Sequence, residues 1–210
     1  MSNQCFEKNS FDLKKQDLVI LAARPGMGKT TFALKLVTQS SISSKVPTVY
    51  FSLEMSTESL VKRLLAMENA ESIGESPLIV DDTPGISVSE LCAKCRKVKQ
   101  EKGLDLVIID YLQLMTIDRE PKSRQQEISE ISGSLKALAK ELDVTVIALS
   151  QLSRTVEQRS DKRPILSDLP EYKIIEPEAD VILFLYRDEY YYPDTEESGT
   201  AEIIIAKQHS

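Results

Sequence analysis

Residues 17–37 read DLVILAARPGMGKTTFALKLV, and the architecture is decided there. Residues 17–23 form a short apolar run that ends in a turn carrying Pro25, Gly26 and Gly28, after which residues 31–37 place apolar side chains at helical spacing. That order is strand, loop, helix. The loop, ARPGMGKT, matches the phosphate-cradling pattern G-x-x-x-x-G-K-S/T except that Ala23 stands at the first glycine. Gly28 lets backbone N–H groups close around phosphates, Lys29 supplies charge to the outer two, and the Thr30 hydroxyl can reach Mg²⁺. The residues expected to cradle the phosphates are therefore Arg24, Pro25, Gly26 and Met27 together with Gly28, Lys29, Thr30 and Thr31.

The same alternation continues along the chain. Apolar runs with strand-forming residues recur at 48–53, 78–80, 104–109, 144–149, 181–186 and 202–206, and helical periodicity fills 57–69, 87–103 and 125–142. Strands alternating with helices predict an α/β fold, a mainly parallel sheet sandwiched between helices. In such a sheet ligands collect beyond the carboxyl ends of the strands, so polar residues at the strand ends become candidates. Asp110 ends LVIID and would join Thr30 at a metal ion. Glu54 follows the 48–53 run and offers a carboxylate as general base, and Gln151 follows 144–149 and could sense a terminal phosphate.

Composition narrows the alternatives. With 210 residues, 41% hydrophobic and 28% charged, the chain suits one folded domain. Its net charge of −7 gives no bulk attraction for nucleic acid, so any DNA contact must come from local basic loops. Residues 116–124 and 153–173 lack periodicity, carry mixed charge and follow strands, which makes them candidate functional loops as well as plain surface connectors. No apolar run approaches the roughly 18 residues that span a bilayer, and residues 1–10 lack a signal-peptide core, so no membrane role and a cytoplasmic location are expected. Cys92 and Cys95 form a CxxC, but they share helical spacing with Val88, Leu91 and Val98, and Cys5 and His209 complete no ligand set. Both sulfurs are expected in a core. The basic residues Lys94, Arg96, Lys97, Lys99 and Lys102 on the same segment are read as a solvated helix face.

The strings LVILAARPGMGKTTFALKLV, VYFSLEMS, LVIIDYLQLM, EISEISGSLKALAKELDVTVIALSQLSR, DKRPILSDL and EADVILFLYRDEYY followed by AEIIIAKQ cover most of the chain. Taken together they resemble, in the family's order, the RecA-like motor domain of DnaB-type replicative helicases. The resemblance implies a RecA-like P-loop NTPase over residues 17–210, preceded by a linker remnant at 1–16 and stopping before the family's usual final strands. It implies a homo-oligomer, a hexameric ring that hydrolyses ATP with Mg²⁺ at subunit interfaces, moves 5′ to 3′ on single-stranded DNA, unwinds duplex and engages a primase or a helicase loader. In that scheme Lys29, Thr30 and Asp110 hold Mg-ATP, Glu54 is the catalytic glutamate, and Gln151 links nucleotide state to the DNA loops. Lys207 reaches a neighbouring subunit's γ-phosphate.

Two departures favour a second reading. His209 stands where the family has a trans-acting arginine, and Pro170-Glu171-Tyr172-Lys173 replaces an Arg-Glu-Ser-Gly loop that contacts DNA. Neutral histidine is no substitute for a guanidinium fork, and proline removes an N–H donor. The alternative is a nucleotide-binding regulatory or degenerate helicase paralogue that binds ATP without unwinding.

Overall fold

A computed structural model of the chain describes residues 13–208. Cys5 and His209 lie outside them. Seven strands form one sheet in the order β3-β2-β4-β5-β1-β6-β7. They are β1 (Leu18–Ala23), β2 (Thr48–Ser52), β3 (Leu78–Asp81), β4 (Leu106–Asp110), β5 (Thr145–Gln151), β6 (Val181–Tyr186) and β7 (Glu202–Gln208). All pairings are parallel except β6 with β7, which is antiparallel and shifts register between Ile182 and Leu183. Nothing in the local period of residues 202–208 distinguishes a parallel strand from this antiparallel edge.

Six helices cover the sheet: α1 (Lys29–Val37), α2 (Thr57–Leu65), α3 (Ala70–Gly74), α4 (Val88–Lys102), α5 (Arg124–Leu142) and α6 (Tyr172–Ile175). Strand β1 shows why two layers are needed. Leu18, Ile20 and Ala22 belong to a core with α4 and α5, whereas Val19, Leu21 and Ala23 belong to a second core with α1 and α2. Every residue of β1 is at most 1% exposed, so the strand is apolar on both faces, as a central parallel strand must be. At about 1.5–3 kcal/mol for each fully buried Leu, Ile or Val, this burial is the main force setting β1 and its following loop in place. Asp180 adds a polar anchor, accepting the Leu18 amide at 2.6 Å and the Lys136 ammonium at 2.6 Å.

The helix starts follow side-chain chemistry. Ser56, Asn69, Ser87 and Ser123 each accept a backbone N–H three residues on, capping α2, α3, α4 and α5. The Asn69 cap also explains a correction to the expected single helix over 57–69. α2 stops at Leu65, Met67 and Glu68 both bond back to the Leu64 carbonyl, and Asn69 starts α3 instead of continuing α2. A π-helical turn, Thr38–Ser43, extends α1, and the aperiodic 153–173 stretch contains short helical turns and the first half of α6. Replacing Ser123 with alanine is expected to lower folding stability by about 1 kcal/mol, read as a lower urea midpoint with an unchanged slope. A midpoint equal to the parent's would show that the cap contributes nothing.

Cys92 and Cys95 are buried free thiols, and burial raises both, Cys95 to about 12. They are inert core groups, as the helical spacing suggested. The basic face of α4 is largely compensated within the chain, with Lys94 on Asp81 and Glu90, Arg96 on Glu141, and Lys99 donating to the Leu104 carbonyl. No helix among the described residues is long and apolar enough to cross a membrane.

Candidate active site

The carboxyl ends of β1, β2, β4 and β5 converge on a cavity of about 350 Å³. Its lining includes Arg24, Pro25, Gly26, Gly28, Lys29, Thr30, Thr31, Glu54 and Gln151. Asp110 lies beneath it, 2% exposed at the end of β4. Residues far apart in the chain thus meet because register aligns their strand ends, with Ser52 opposite Asp110 and Ala23 opposite Gln151.

The loop adopts a conformation only glycine takes readily. Gly26 and Gly28 have φ of 83° and 90°, and a Cβ on Gly28 would meet nothing within 4 Å, so the space above it is open. Gly28 is also the residue preceding α1 and provides no side-chain cap. The first amides of α1 are left to a ligand, and the positive end of the helix faces the cavity.

Around Asp110 the geometry is tight. Its Oδ2 accepts the Thr30 hydroxyl at 2.8 Å and the Tyr50 phenol at 3.0 Å. Its Oδ1 is buried and accepts no hydrogen bond, although the Lys29 ammonium stands 3.6 Å away. A buried carboxylate oxygen with spare capacity, next to a threonine hydroxyl, is the donor set that a hard divalent cation takes. Thr30 and Asp110 therefore fit Mg²⁺. Burial pushes the Lys29 ammonium below its ordinary value, with Asp110 and Glu54 pulling it back up. Its Nζ also lies 4.3 Å from the centre of the Tyr111 ring.

Two expected cradle residues, Met27 and Arg24, behave differently from the rest. Met27 does not reach the cavity with its side chain, which is 2% exposed in the core shared by β1 and α1. Its apolar thioether is better buried there than beside phosphate, and its amide bonds to the Arg24 carbonyl. Arg24 lines the cavity but its guanidinium is committed, donating to Glu157 at 2.7 and 2.9 Å and to the Leu152 carbonyl at 2.8 Å. It ties the phosphate loop to the segment after β5 instead of standing free as a phosphate ligand. Thr31 lines the cavity with the other loop residues.

Lys207 is not in this cavity. It sits on β7 near Ile182, at the amino end of β6, and donates to the Glu176 carbonyl.

Residue-by-residue reading missed three cavity groups and one support. Tyr50, Tyr111 and Arg63 each face or underlie the site, and Gln113 donates to Ser150 at 2.7 Å while its Oε1 accepts the Gln151 amide at 3.4 Å. Burial raises the Tyr50 phenol well above its usual range, with Asp110 adding to the effect, so it remains a proton donor to Asp110. Arg63 lies on α2, nine positions after Glu54, and its side chain makes no hydrogen bond or ion pair among the described residues.

The model of the DnaB-like helicase C-terminal domain matches residues 4–72 and 67–210, nearly the whole chain. The chain belongs to that family. Among DnaB-family relatives, it is 48% identical over 221 residues to the replicative DNA helicase DnaB of Geobacillus stearothermophilus, covering 94% of this chain and 49% of that protein. The replicative DNA helicase DnaC of Bacillus subtilis gives the same identity and coverage. The chain thus spans about half the length of the curated relatives it matches. A solved DnaB-like replicative helicase, described with its interactions with primase, superposes with a TM-score of 0.86 at 42% identity, over 93% of this chain and 53% of that one. The RecA-like α/β fold expected of a DnaB-type domain is the fold observed.

Proposed function

We propose that this chain is the motor domain of a replicative DNA helicase, hydrolysing ATP with Mg²⁺ to drive movement along single-stranded DNA as part of a hexameric ring. The observation that carries the reading is the meeting of Lys29, Thr30 and Asp110 beneath one cavity with Glu54 on its wall. The loop amides and Lys29 bind the phosphates, and Thr30 with Asp110 would hold Mg²⁺, which would supply charge neutralisation to the phosphates. Glu54, on the cavity wall, would take the proton from a water attacking the terminal phosphorus. Gln151 would hydrogen-bond the departing phosphate, and β5 leads from it into the 153–173 loop, a candidate DNA contact. The Arg24–Glu157 pair joins that same segment to the phosphate loop, so a shift at one is felt at the other. Lys207 would act on the neighbouring subunit's nucleotide. A primase or helicase loader is the expected protein partner.

The test is ATP turnover by the whole chain, with and without single-stranded DNA, across protein concentration. Turnover that needs Mg²⁺ and rises more steeply than protein concentration is expected, because one phosphate-side cation comes from a neighbour. Failure to bind Mg-ATP at all would overturn the reading. Binding without turnover at any concentration would favour the regulatory alternative, for which Pro170 and Lys173 speak, since they replace an arginine-bearing loop.

A further inference from the structure

The groups assigned to the phosphate end all lie on one side of β1. Glu54, Asp110 and Gln151 exit β2, β4 and β5, whereas β6 borders β1 on its other edge. A triphosphate with its terminal group toward Asp110 and its inner phosphates on the loop therefore directs its nucleoside toward the β6 side.

An aromatic ring waits at that side. Tyr190, in the turn Asp188–Tyr190 after β6, lies against the phosphate loop so closely that a Cβ on Gly26 would come 2.8 Å from its Cε2. Yet Tyr190 is 52% exposed, so much of its surface is free of protein. Its backing is rigid. The Tyr191 ring meets it edge-on with centroids 5.2 Å apart, and Tyr191 in turn stacks on Tyr186 at 6.0 Å. Tyr186 is 1% exposed and its hydroxyl donates to Asp188 at 2.7 Å. Glu189 pins the same turn, accepting the Gly199 amide at 2.6 Å and the Ser198 hydroxyl at 2.9 Å and pairing with Arg187. An exposed tyrosine held this firmly beside a phosphate loop is preorganised for stacking, because little side-chain freedom is left to lose when a flat ring lands on it.

We propose that Tyr190 is the platform on which the base of the bound nucleotide stacks. The proposal rests on the reading of the cavity as a nucleoside triphosphate site. It makes Tyr190 a binding residue for the base alone, with no role at the phosphates. It also gives Gly26 a second reason to be glycine, since any side chain there would displace the platform.

The two arms are Mg-ATP and magnesium tripolyphosphate, which carries the phosphates without a base, titrated into the whole chain by calorimetry. Tyr190→Ala is expected to weaken Mg-ATP on the order of tenfold, as loss of a base–aromatic stack does, and to leave tripolyphosphate affinity unchanged. Tyr190→Phe, which keeps the ring, binds Mg-ATP several-fold tighter than Tyr190→Ala. The chain has no tryptophan, so Tyr190→Trp introduces a single reporter at the platform. Its fluorescence is expected to change with Mg-ATP and not with tripolyphosphate. Unchanged Mg-ATP affinity in Tyr190→Ala, equal weakening of both ligands, or a silent tryptophan under saturating Mg-ATP would each overturn the platform. Failure of the parent chain to bind Mg-ATP would overturn the nucleotide reading itself, and the platform with it.

Discussion

Lys29→Ala is expected to lose Mg-ATP binding by about 100-fold or more, while the chain stays folded. Lys29 stands 3.6 Å from Asp110 and is only 13% exposed at its side chain, so its charge acts in a medium where Coulomb interactions are much stronger than in water. Removing it deletes an ammonium–phosphate contact and also leaves the buried Asp110 carboxylate facing a triphosphate with no protein cation between them. Truncating one partner of a buried charge contact in a binding site costs about 2–5 kcal/mol of affinity, a range centred above two decades. The fold tolerates the change because Asp110 keeps the Thr30 and Tyr50 hydroxyls, and the surrounding core does not involve the lysine stem. Calorimetric titration alongside a thermal melt checks both halves. Affinity within threefold of the parent, with an unchanged melt, would show that the phosphates bind elsewhere.

Glu54→Gln should separate binding from chemistry. Glu54 is exposed on the cavity wall, just past β2 and beyond Leu53, and glutamine keeps its size and its place on the backbone. What glutamine cannot do is accept the proton of an attacking water. A positioned general base contributes typically about 10²–10⁴-fold, so turnover should fall by that factor while the dissociation constant for Mg-ATP stays within a few-fold of the parent's. Single-turnover hydrolysis with excess protein measures the chemical step without product release. Turnover within tenfold of the parent would move the base to another residue.

The two variants probe parts of the site that were legible in the chain to different degrees. Gly28, Lys29 and Thr30 are neighbours in sequence, and their chemistry needs only a local turn and a helix start. Asp110, Glu54 and Gln151 were each readable as a polar group at the end of an apolar run, because parallel strands buried on both faces shed polarity until they emerge. Tyr50 was hidden for the same reason. It sits inside an apolar run and is fully buried, and its hydroxyl matters only because Asp110, sixty positions away, lies on the adjoining strand.

Arg24 and Met27 show the converse. Their position in the motif suggested phosphate contact, but packing and pairing took their side chains elsewhere, into Glu157 and into the core.

The amino-acid sequence by itself determined the alternation of strands and helices, the phosphate loop and the family, since all of these depend on residue type at short, regular spacing. Tertiary structure alone decided the strand order, the antiparallel edge β7, the unsatisfied oxygen of Asp110 and the seating of Tyr190 on Gly26. These arise from contacts between segments far apart in the chain. Local periodicity has no term for which buried strand lies beside which, and it is that adjacency that brings the groups together.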